Sequence, residues 1–87
     1  MTIEDYIRRH AQEQPDRVAV VCGSEQCTYA QLESRIGRAA EAWQRRGVQA
    51  RQVVCLRALP AIAFLADYFA LHRIGAVAAP LERDLPP

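Results

Sequence analysis

The stretch LHRIGAVAAPL, residues 71–81, contains the end of a helix and a complete short strand. Gly75 follows an apolar, helix-like run, and a glycine at that place is typical of a helix C-terminus. The small apolar residues 76–79 then predict an interior strand of a parallel sheet, ended by Pro80. Such strands usually present a ligand-contacting loop beyond their carboxyl end. This stretch therefore predicts an α/β fold.

The residues before this stretch complete a β-α-β unit. Residues 52–56 predict a strand, and residues 61–74 predict a helix with Pro60 at its first position. We expect this helix to be largely buried through an apolar stripe, which consists of Ile62, Leu65, Phe69 and His72, widened by Phe64, Tyr68 and Leu71. Crossover connections between parallel strands are right-handed almost without exception, so we expect a right-handed unit.

The N-terminal half predicts two helices with a pair of strands between them, at residues 3–14, 18–22, 26–28 and 29–46. Each helix begins at a capping box, Thr2 with Asp5 and Thr28 with Gln31. The unbroken run VAVVC at residues 18–22 predicts a buried strand, and residues 26–28 predict its antiparallel partner. The order is α-β-β-α-β-α-β. We expect residues 1–87 to form a single partial domain of a larger layered α/β domain, with residues 83–87 as a linker-like tail.

Helical periodicity indicates which helix faces are buried. The first helix carries a thin stripe of Ile3, Tyr6, Ile7, His10 and Ala11, and the second carries a core face of Leu32, Ile36, Ala39, Ala40 and Trp43. Gly37 is expected to pack closely against a neighbour, because a glycine inside a helix otherwise costs about 1 kcal/mol relative to alanine. Glu4 and Asp5 are assigned to the helix dipole, which favours acidic residues in the first turn.

The composition limits the possible functions. The 87 residues carry 11 basic and 10 acidic side chains, and this balance argues against nucleic-acid binding. Every basic residue is arginine, so the chain offers no lysine for a Schiff base or a phosphate loop. No apolar run approaches the roughly 20 residues that span a membrane. We therefore expect a cytoplasmic protein that binds neither nucleic acid nor membrane.

No arrangement of residues predicts a catalytic, cofactor-binding or metal site. The glycines are isolated, so no phosphate-binding loop is expected, and His10 and His72 have no histidine neighbour at metal-ligand spacing. The three cysteines are expected to be free thiols, mostly buried: Cys22, Cys27 and Cys55.

Two weaker candidates remain open. Cys55 and His72 could form a thiolate pair, although a buried cysteine beneath a packed histidine is the simpler interpretation. Glu82 and Asp84 follow the last strand and are the carboxylates best placed to contact a ligand, although a solvated tail is the simpler interpretation there.

Five blocks follow one another along the chain: residues 15–20 (PDRVAV), 28–32 (TYAQL), 46–48 (RGV), 53–56 (VVCL) and 71–81. Their order and spacing resemble the opening of the adenylate-forming (AMP-binding) enzymes, which include acyl-CoA synthetases and the adenylation domains of nonribosomal peptide synthetases. TYAQL is similar to the first core motif of adenylation domains, L[TS]YxEL, and LHRIGAVAAPLE to the second, LKAGxAYxPLD. Arg73, Glu82 and Cys27 depart from the lysine, aspartate and leucine usual in the family.

The resemblance implies a scaffold segment. Enzymes of this family activate a carboxylic acid with ATP and magnesium as an acyl-adenylate, and usually pass the acyl group to a thiol. Their phosphate loop, metal-contacting acid, ribose-binding aspartate and catalytic lysine follow the motifs found here, so the resemblance places no catalytic residue within residues 1–87. It implies the N-terminal part of an ATP-dependent acyl- or aminoacyl-adenylating ligase, inactive alone. Its partner would be the remainder of the parent domain, or a partner chain supplying it.

The alternative is a standalone, non-catalytic interaction module that keeps this scaffold and self-associates through an open sheet edge. The identity of the acid, whether amino, aryl or fatty, is left open. So is the thiol acceptor, which is CoA or a carrier protein in the family. TYAQL and residues 80–82 lean towards a peptide-synthetase-like adenylation domain over an acyl-CoA synthetase.

Overall fold

The computed structural model describes residues 2–59 and 61–81. Within them the chain forms helices and strands in the predicted α/β order: α1 (Ile3–Glu13), β1 (Val18–Cys22), β2 (Glu25–Thr28), α2 (Tyr29–Arg45), β3 (Val53–Arg57), α3 (Ile62–Arg73) and β4 (Val77–Leu81). The predictions for Pro60, Glu82, Asp84 and the tail at residues 83–87 lie outside the described residues.

Both predicted capping boxes are confirmed. The Asp5 N–H donates to Thr2 Oγ1 at 3.1 Å, and the Thr2 N–H donates back to the Asp5 carboxylate at 3.3 Å. These hydrogen bonds from Thr2 lower the pKa of Asp5 below its usual value. The Gln31 N–H likewise donates to Thr28 Oγ1 at 3.1 Å, and the Thr28 N–H donates to Gln31 Oε1 at 2.9 Å. Each box satisfies backbone N–H groups that the first turn of a helix leaves without partners.

The strands form two separate pairs in the described part of the chain. β1 and β2 are antiparallel, with an irregularity between Val18 and Val20. β3 and β4 are parallel, with Val53 opposite Val77 and Arg57 opposite Leu81. The predicted β-α-β unit is therefore present, and its parallel pairing is confirmed.

Two connected clusters form the core. The larger joins the three helices to the β1–β2 pair through Ile7, Cys27, Leu32, Ile36, Ala40, Ile62, Ala66 and Ala70. The smaller, which consists of Leu56, Leu71 and Ala76, holds α3 against β3 and β4. Trp43 and Ile74 pack against both clusters. The predicted core face of α2 is confirmed by these contacts.

Three predictions about burial are wrong. The sequence predicts a buried β1, but Val21 is 66% exposed, because helices cover only one face of this strand pair. In α1, Ile7 is the buried member of the predicted stripe, while Ile3 and Tyr6 are exposed. In α3, the buried residues are Ile62, Ala66, Ala70 and Leu71. Small alanines allow α2 and α3 to approach closely, so the larger Leu65 and Phe69 lie at the margin of the contact and His72 is exposed.

β4 also differs from its prediction. It begins at Val77 and continues through Pro80 to Leu81, and among the described residues it has β3 as its one neighbour, so it is an edge strand here. The Val77 N–H donates to the Gln52 carbonyl at 2.8 Å, and the Ala58 N–H donates to the Leu81 carbonyl at 2.9 Å. Because backbone groups alternate between the two edges of a strand, the missing N–H of Pro80 falls on the outer edge. The strand can therefore pass through this proline without losing a bond to β3.

Gly75 provides the turn between α3 and β4. Its φ is +81°, a left-handed conformation that side chains disfavour, and an added Cβ would lie 3.3 Å from the Ala50 Cβ. The Arg51 N–H donates to the Gly75 carbonyl at 2.8 Å, which ties this turn to the loop before β3. The prediction that Gly75 ends the helix is confirmed.

Gly37 does not pack closely against a neighbour, contrary to expectation: among the described residues, no atom beyond its own stretch of α2 backbone lies within 4 Å of the position that a Cβ would take. We therefore expect Gly37→Ala to raise the free energy of unfolding by about 1 kcal/mol, the helix-propensity difference between these residues. Urea denaturation followed by Trp43 fluorescence measures this change. Gly75→Ala is the matched control, since the same added methyl group is expected to destabilise there. A destabilised Gly37→Ala variant would contradict the open surroundings of this glycine.

Candidate functional site: a bare sheet face

The β3–β4 pair has one covered face and one bare face. Val54 and Leu56 of β3, with Ala76 and Ala78, pack on the smaller core cluster beneath α3. Side chains alternate along a strand, so the intervening residues point away from α3. These intervening residues form the bare face: Val53, Cys55 and Arg57 of β3, and Val77, Ala79 and Leu81 of β4.

The bare face is mainly apolar and open to solvent. Val53 and Val77 lie directly opposite each other and are 65% and 51% exposed. Leu81, opposite Arg57, is 39% exposed, and Cys55, opposite Ala79, is also exposed. Parallel sheets occur almost only with both faces covered, which is why their strands are apolar on both sides. The apolar composition of this face is therefore typical of a sheet surface that is buried against a second layer.

The structure separates Cys55 from His72. Cys55 lies on the bare face, whereas His72 belongs to α3, which covers the opposite face. The thiolate pair is therefore wrong, and so is the simpler interpretation of a cysteine buried beneath the histidine. Among the three free cysteines Cys27 alone is fully buried, and burial raises the pKa of its thiol. Cys22 is partly buried, so the expectation of mostly buried thiols is also wrong.

A cluster of three charged side chains joins the helices near the end of α3. The Arg73 guanidinium hydrogen-bonds through Nε to Glu4 of α1 and through Nη2 to Glu33 of α2, the latter at 2.8 Å. Glu4 is only 6% exposed, so its charge depends on Arg73 for compensation. Burial alone would lower the pKa of Arg73, but the hydrogen bonds and charges of Glu33 and Glu4 outweigh it and raise that pKa.

No sequence pattern indicates this cluster. The position of Glu4 in a first helical turn favours the helix dipole as its role, and its partner Arg73 is 69 positions away. Arg73 is also the position at which the family usually has lysine. A lysine ammonium is a single point of charge, whereas the planar guanidinium can donate to two carboxylates in fixed directions. The cluster is structural, because it bridges three helices through hydrogen bonds between their side chains.

The clefts on the described part of the chain are shallow and open. One of about 340 Å³ runs beside the outer edge of β4, between Tyr68 and His72 of α3 and residues 75–78. Among residues 2–59 and 61–81, no three His, Cys, Asp or Glu side chains lie close enough together to hold a metal ion. No helix in the described residues is both long and apolar enough to cross a membrane.

Known proteins match this chain both in sequence and in fold. The matches are to layered α/β enzymes, of which this chain corresponds to a segment. The family model described as "AMP-binding enzyme" matches residues 7–87. The chain therefore belongs to the AMP-binding enzyme family, which confirms the resemblance of its five sequence blocks.

Individual relatives come from several branches. The chain is 36% identical over 77 residues to the 2,3-dihydroxybenzoate-AMP ligase of Bacillus subtilis (strain 168), a match covering 87% of this chain. It is 29% identical over 85 residues, or 98% of its length, to tyrocidine synthase 3 of Brevibacillus parabrevis. A solved fatty acyl CoA synthetase of Mycobacterium tuberculosis superposes with a TM-score of 0.86 over 95% of this chain, at 27% identity.

The chain spans only a small part of these proteins. The matches cover 14% of the ligase, 1% of the tyrocidine synthase and 17% of the acyl CoA synthetase chain. The similarity therefore shows that this chain corresponds to a segment of these enzymes. It does not show that the chain has the activity of a whole enzyme.

Proposed function

We propose that this chain is the N-terminal scaffold segment of an ATP-dependent ligase that activates a carboxylic acid as an acyl- or aminoacyl-adenylate. The bare face of β3 and β4 is the observation that carries this proposal. An apolar parallel pair with α3 on one side and solvent on the other is half of a layered structure. Family membership over residues 7–87 supports the identity of the parent enzyme.

The proposed occupant of the bare face is the remainder of the parent domain, or a partner chain that supplies it. The face presents Val53 and Val77 at the end where both strands begin, and burying a valine side chain contributes about 1.5 to 3 kcal/mol. The solved relative is several times longer than this chain and offers ample structure for a second layer. The function of the segment is thus to support the enzyme, not to perform its chemistry.

ATP and magnesium are assigned to the remainder of the parent enzyme. The resemblance places the family's phosphate loop, metal-contacting acid and catalytic lysine after the motifs present here. This chain contains no lysine, so it cannot provide that catalytic group itself.

We expect the purified 87-residue chain to catalyse no ATP–pyrophosphate exchange with aryl, fatty or amino acids. The reason is that the phosphate-binding and lysine chemistry is assigned to other parts of the enzyme. The assay measures transfer of labelled pyrophosphate into ATP, with the Bacillus subtilis ligase and 2,3-dihydroxybenzoate as the positive control. If the pure chain catalysed exchange above background, and this exchange required one particular acid, the proposed scaffold role would be wrong.

A further inference from the structure

The two strand pairs share unequally in the two core clusters. The larger cluster joins the three helices to the β1–β2 pair through eight buried residues. The smaller cluster has three, Leu56, Leu71 and Ala76, and it holds the β3–β4 pair against α3. Burial of apolar side chains is the dominant favourable contribution to folding, and stability is not uniform across a protein. The β3–β4 pair is therefore expected to be the less stable part of the described chain.

Apolar contacts attach the β3–β4 pair to the helices. In the described part of the chain, no side-chain hydrogen bond or ion pair joins β3 or β4 to a helix. The helices, in contrast, are joined to one another by Arg73 and by the Trp43 Nε1–H, which donates to Asp67 at 3.1 Å. A two-stranded sheet needs packing against a helix to be stable in water. With its second face bare, this pair depends on the smaller cluster for that packing.

The β1–β2 pair is attached more firmly, although it also has one exposed face. Its Cys27 is a buried member of the larger cluster. The Tyr29 N–H donates to the Arg17 carbonyl at 3.0 Å, which ties the first turn of α2 to the start of β1. β2 also continues directly into the capping box at Thr28. This pair cannot leave the helices without opening the larger cluster, whereas the β3–β4 pair can.

The loops that connect the β3–β4 pair to the helices contain residues with left-handed backbone. Gly47 and Arg51 lie between α2 and β3 with φ of +91° and +72°, and Gly75 lies between α3 and β4 with φ of +81°. Helical hydrogen bonding ends at such residues, so the strands can detach without unwinding α2 or α3. The hydrogen bond from the Arg51 N–H to the Gly75 carbonyl joins the two loops, so β3 and β4 move together.

From this division we infer that the β3–β4 pair of the 87-residue chain opens as one unit, while the three helices and the β1–β2 pair stay folded. The second part of the inference rests on the proposed function. When the remainder of the parent domain docks on the bare face, both faces of the pair are covered and the separate opening is suppressed. Ordering of this half of the scaffold is thus coupled to completion of the enzyme.

Native-state amide hydrogen exchange of the 87-residue chain tests the separate opening. The Val77 N–H donates to the Gln52 carbonyl, and the alternation of backbone groups directs the Leu56 N–H towards β4 as well. We expect these two amides to be about thirtyfold less protected than the Ala40 amide of α2, and to respond only weakly to urea, because a partial opening exposes little surface. Equal protection of all three amides, with one shared dependence on urea, would refute the separate unit.

Two conservative variants distinguish a partial opening from global unfolding. Ile36→Val removes a methyl group from the larger cluster, which stays packed in the opened form. It is expected to lower the protection of the Ala40 amide roughly fivefold and to leave the Val77 amide unchanged. Val54→Ala is the matched control in the smaller cluster and is expected to lower the protection of both amides. If Ile36→Val lowered both amides equally, the chain would be one cooperative unit and the inference would be wrong.

The same exchange measurement on a longer form that includes the remainder of the parent enzyme tests the coupling. The protection of the Val77 amide is expected to rise at least to that of Ala40, and the exposed Cys55 thiol on the bare face is expected to lose its reactivity towards a thiol reagent. A shielded Cys55 with a weakly protected Val77 amide would refute the coupling alone. A Cys55 labelled as fast as in the short chain would contradict docking on the bare face, and would overturn the proposed function together with this coupling.

Discussion

Replacing Arg73 with alanine is expected to lower the free energy of unfolding by about 3 kcal/mol. The substitution leaves Glu4, which is 6% exposed, without its main compensating charge, since Arg8 approaches it only to 3.8 Å. The cost of a buried, uncompensated carboxylate is larger than the value of the ion pair itself. Arg73 also joins α1 to α2, so its loss is expected to loosen the docking of α1.

Two control variants separate this effect from a general loss of charge. Arg45→Ala removes an exposed ion pair with Glu41 at 3.4 Å, and is expected to cost less than about 0.5 kcal/mol. Arg73→Lys is expected to fall between the two, because an ammonium can compensate one carboxylate without the directed pair of bonds. Urea denaturation followed by Trp43 fluorescence reports all three. Equal losses for Arg73→Ala and Arg45→Ala would show that Glu4 does not depend on Arg73.

Local signals predicted the elements of this fold well. The capping boxes at Thr2 and Thr28 act over three residues, so the sequence specifies them almost completely. The glycine at position 75 likewise specifies its own turn through a positive φ. The order and spacing of the five sequence blocks also identified the correct family.

Long-range packing was not predictable to the same degree. The link between Glu4 and Arg73 depends on how three helices meet, and no short pattern encodes that. The core face of α3 was misplaced because periodicity favours large side chains, whereas the contact with α2 uses Ala66 and Ala70. The strands were expected to be buried on both faces, and the structure covers only one. That expectation describes the sheet of a larger domain, which is the physical basis of the proposed scaffold role.

Replacing Leu71 and Val77 with alanine is expected to distinguish the covered face of the sheet from the bare one. Leu71 is fully buried beside Leu56 and Ala76, so Leu71→Ala is expected to destabilise this chain by about 3 kcal/mol through lost contacts and a cavity. Val77 is 51% exposed on the opposite face, so Val77→Ala is expected to cost less than about 1 kcal/mol.

The same two substitutions behave differently once the bare face is covered. In a longer form that includes the remainder of the parent enzyme, the cost of Leu71→Ala is expected to stay near its value in the short chain, because the contacts beneath α3 do not change. The cost of Val77→Ala is expected to rise to about 2 kcal/mol, since the lost methyl groups would then leave a buried site. Urea denaturation of both forms measures the four values. An unchanged, small cost of Val77→Ala in the longer form would mean that the second layer covers another surface, and the scaffold proposal would lose the observation that carries it.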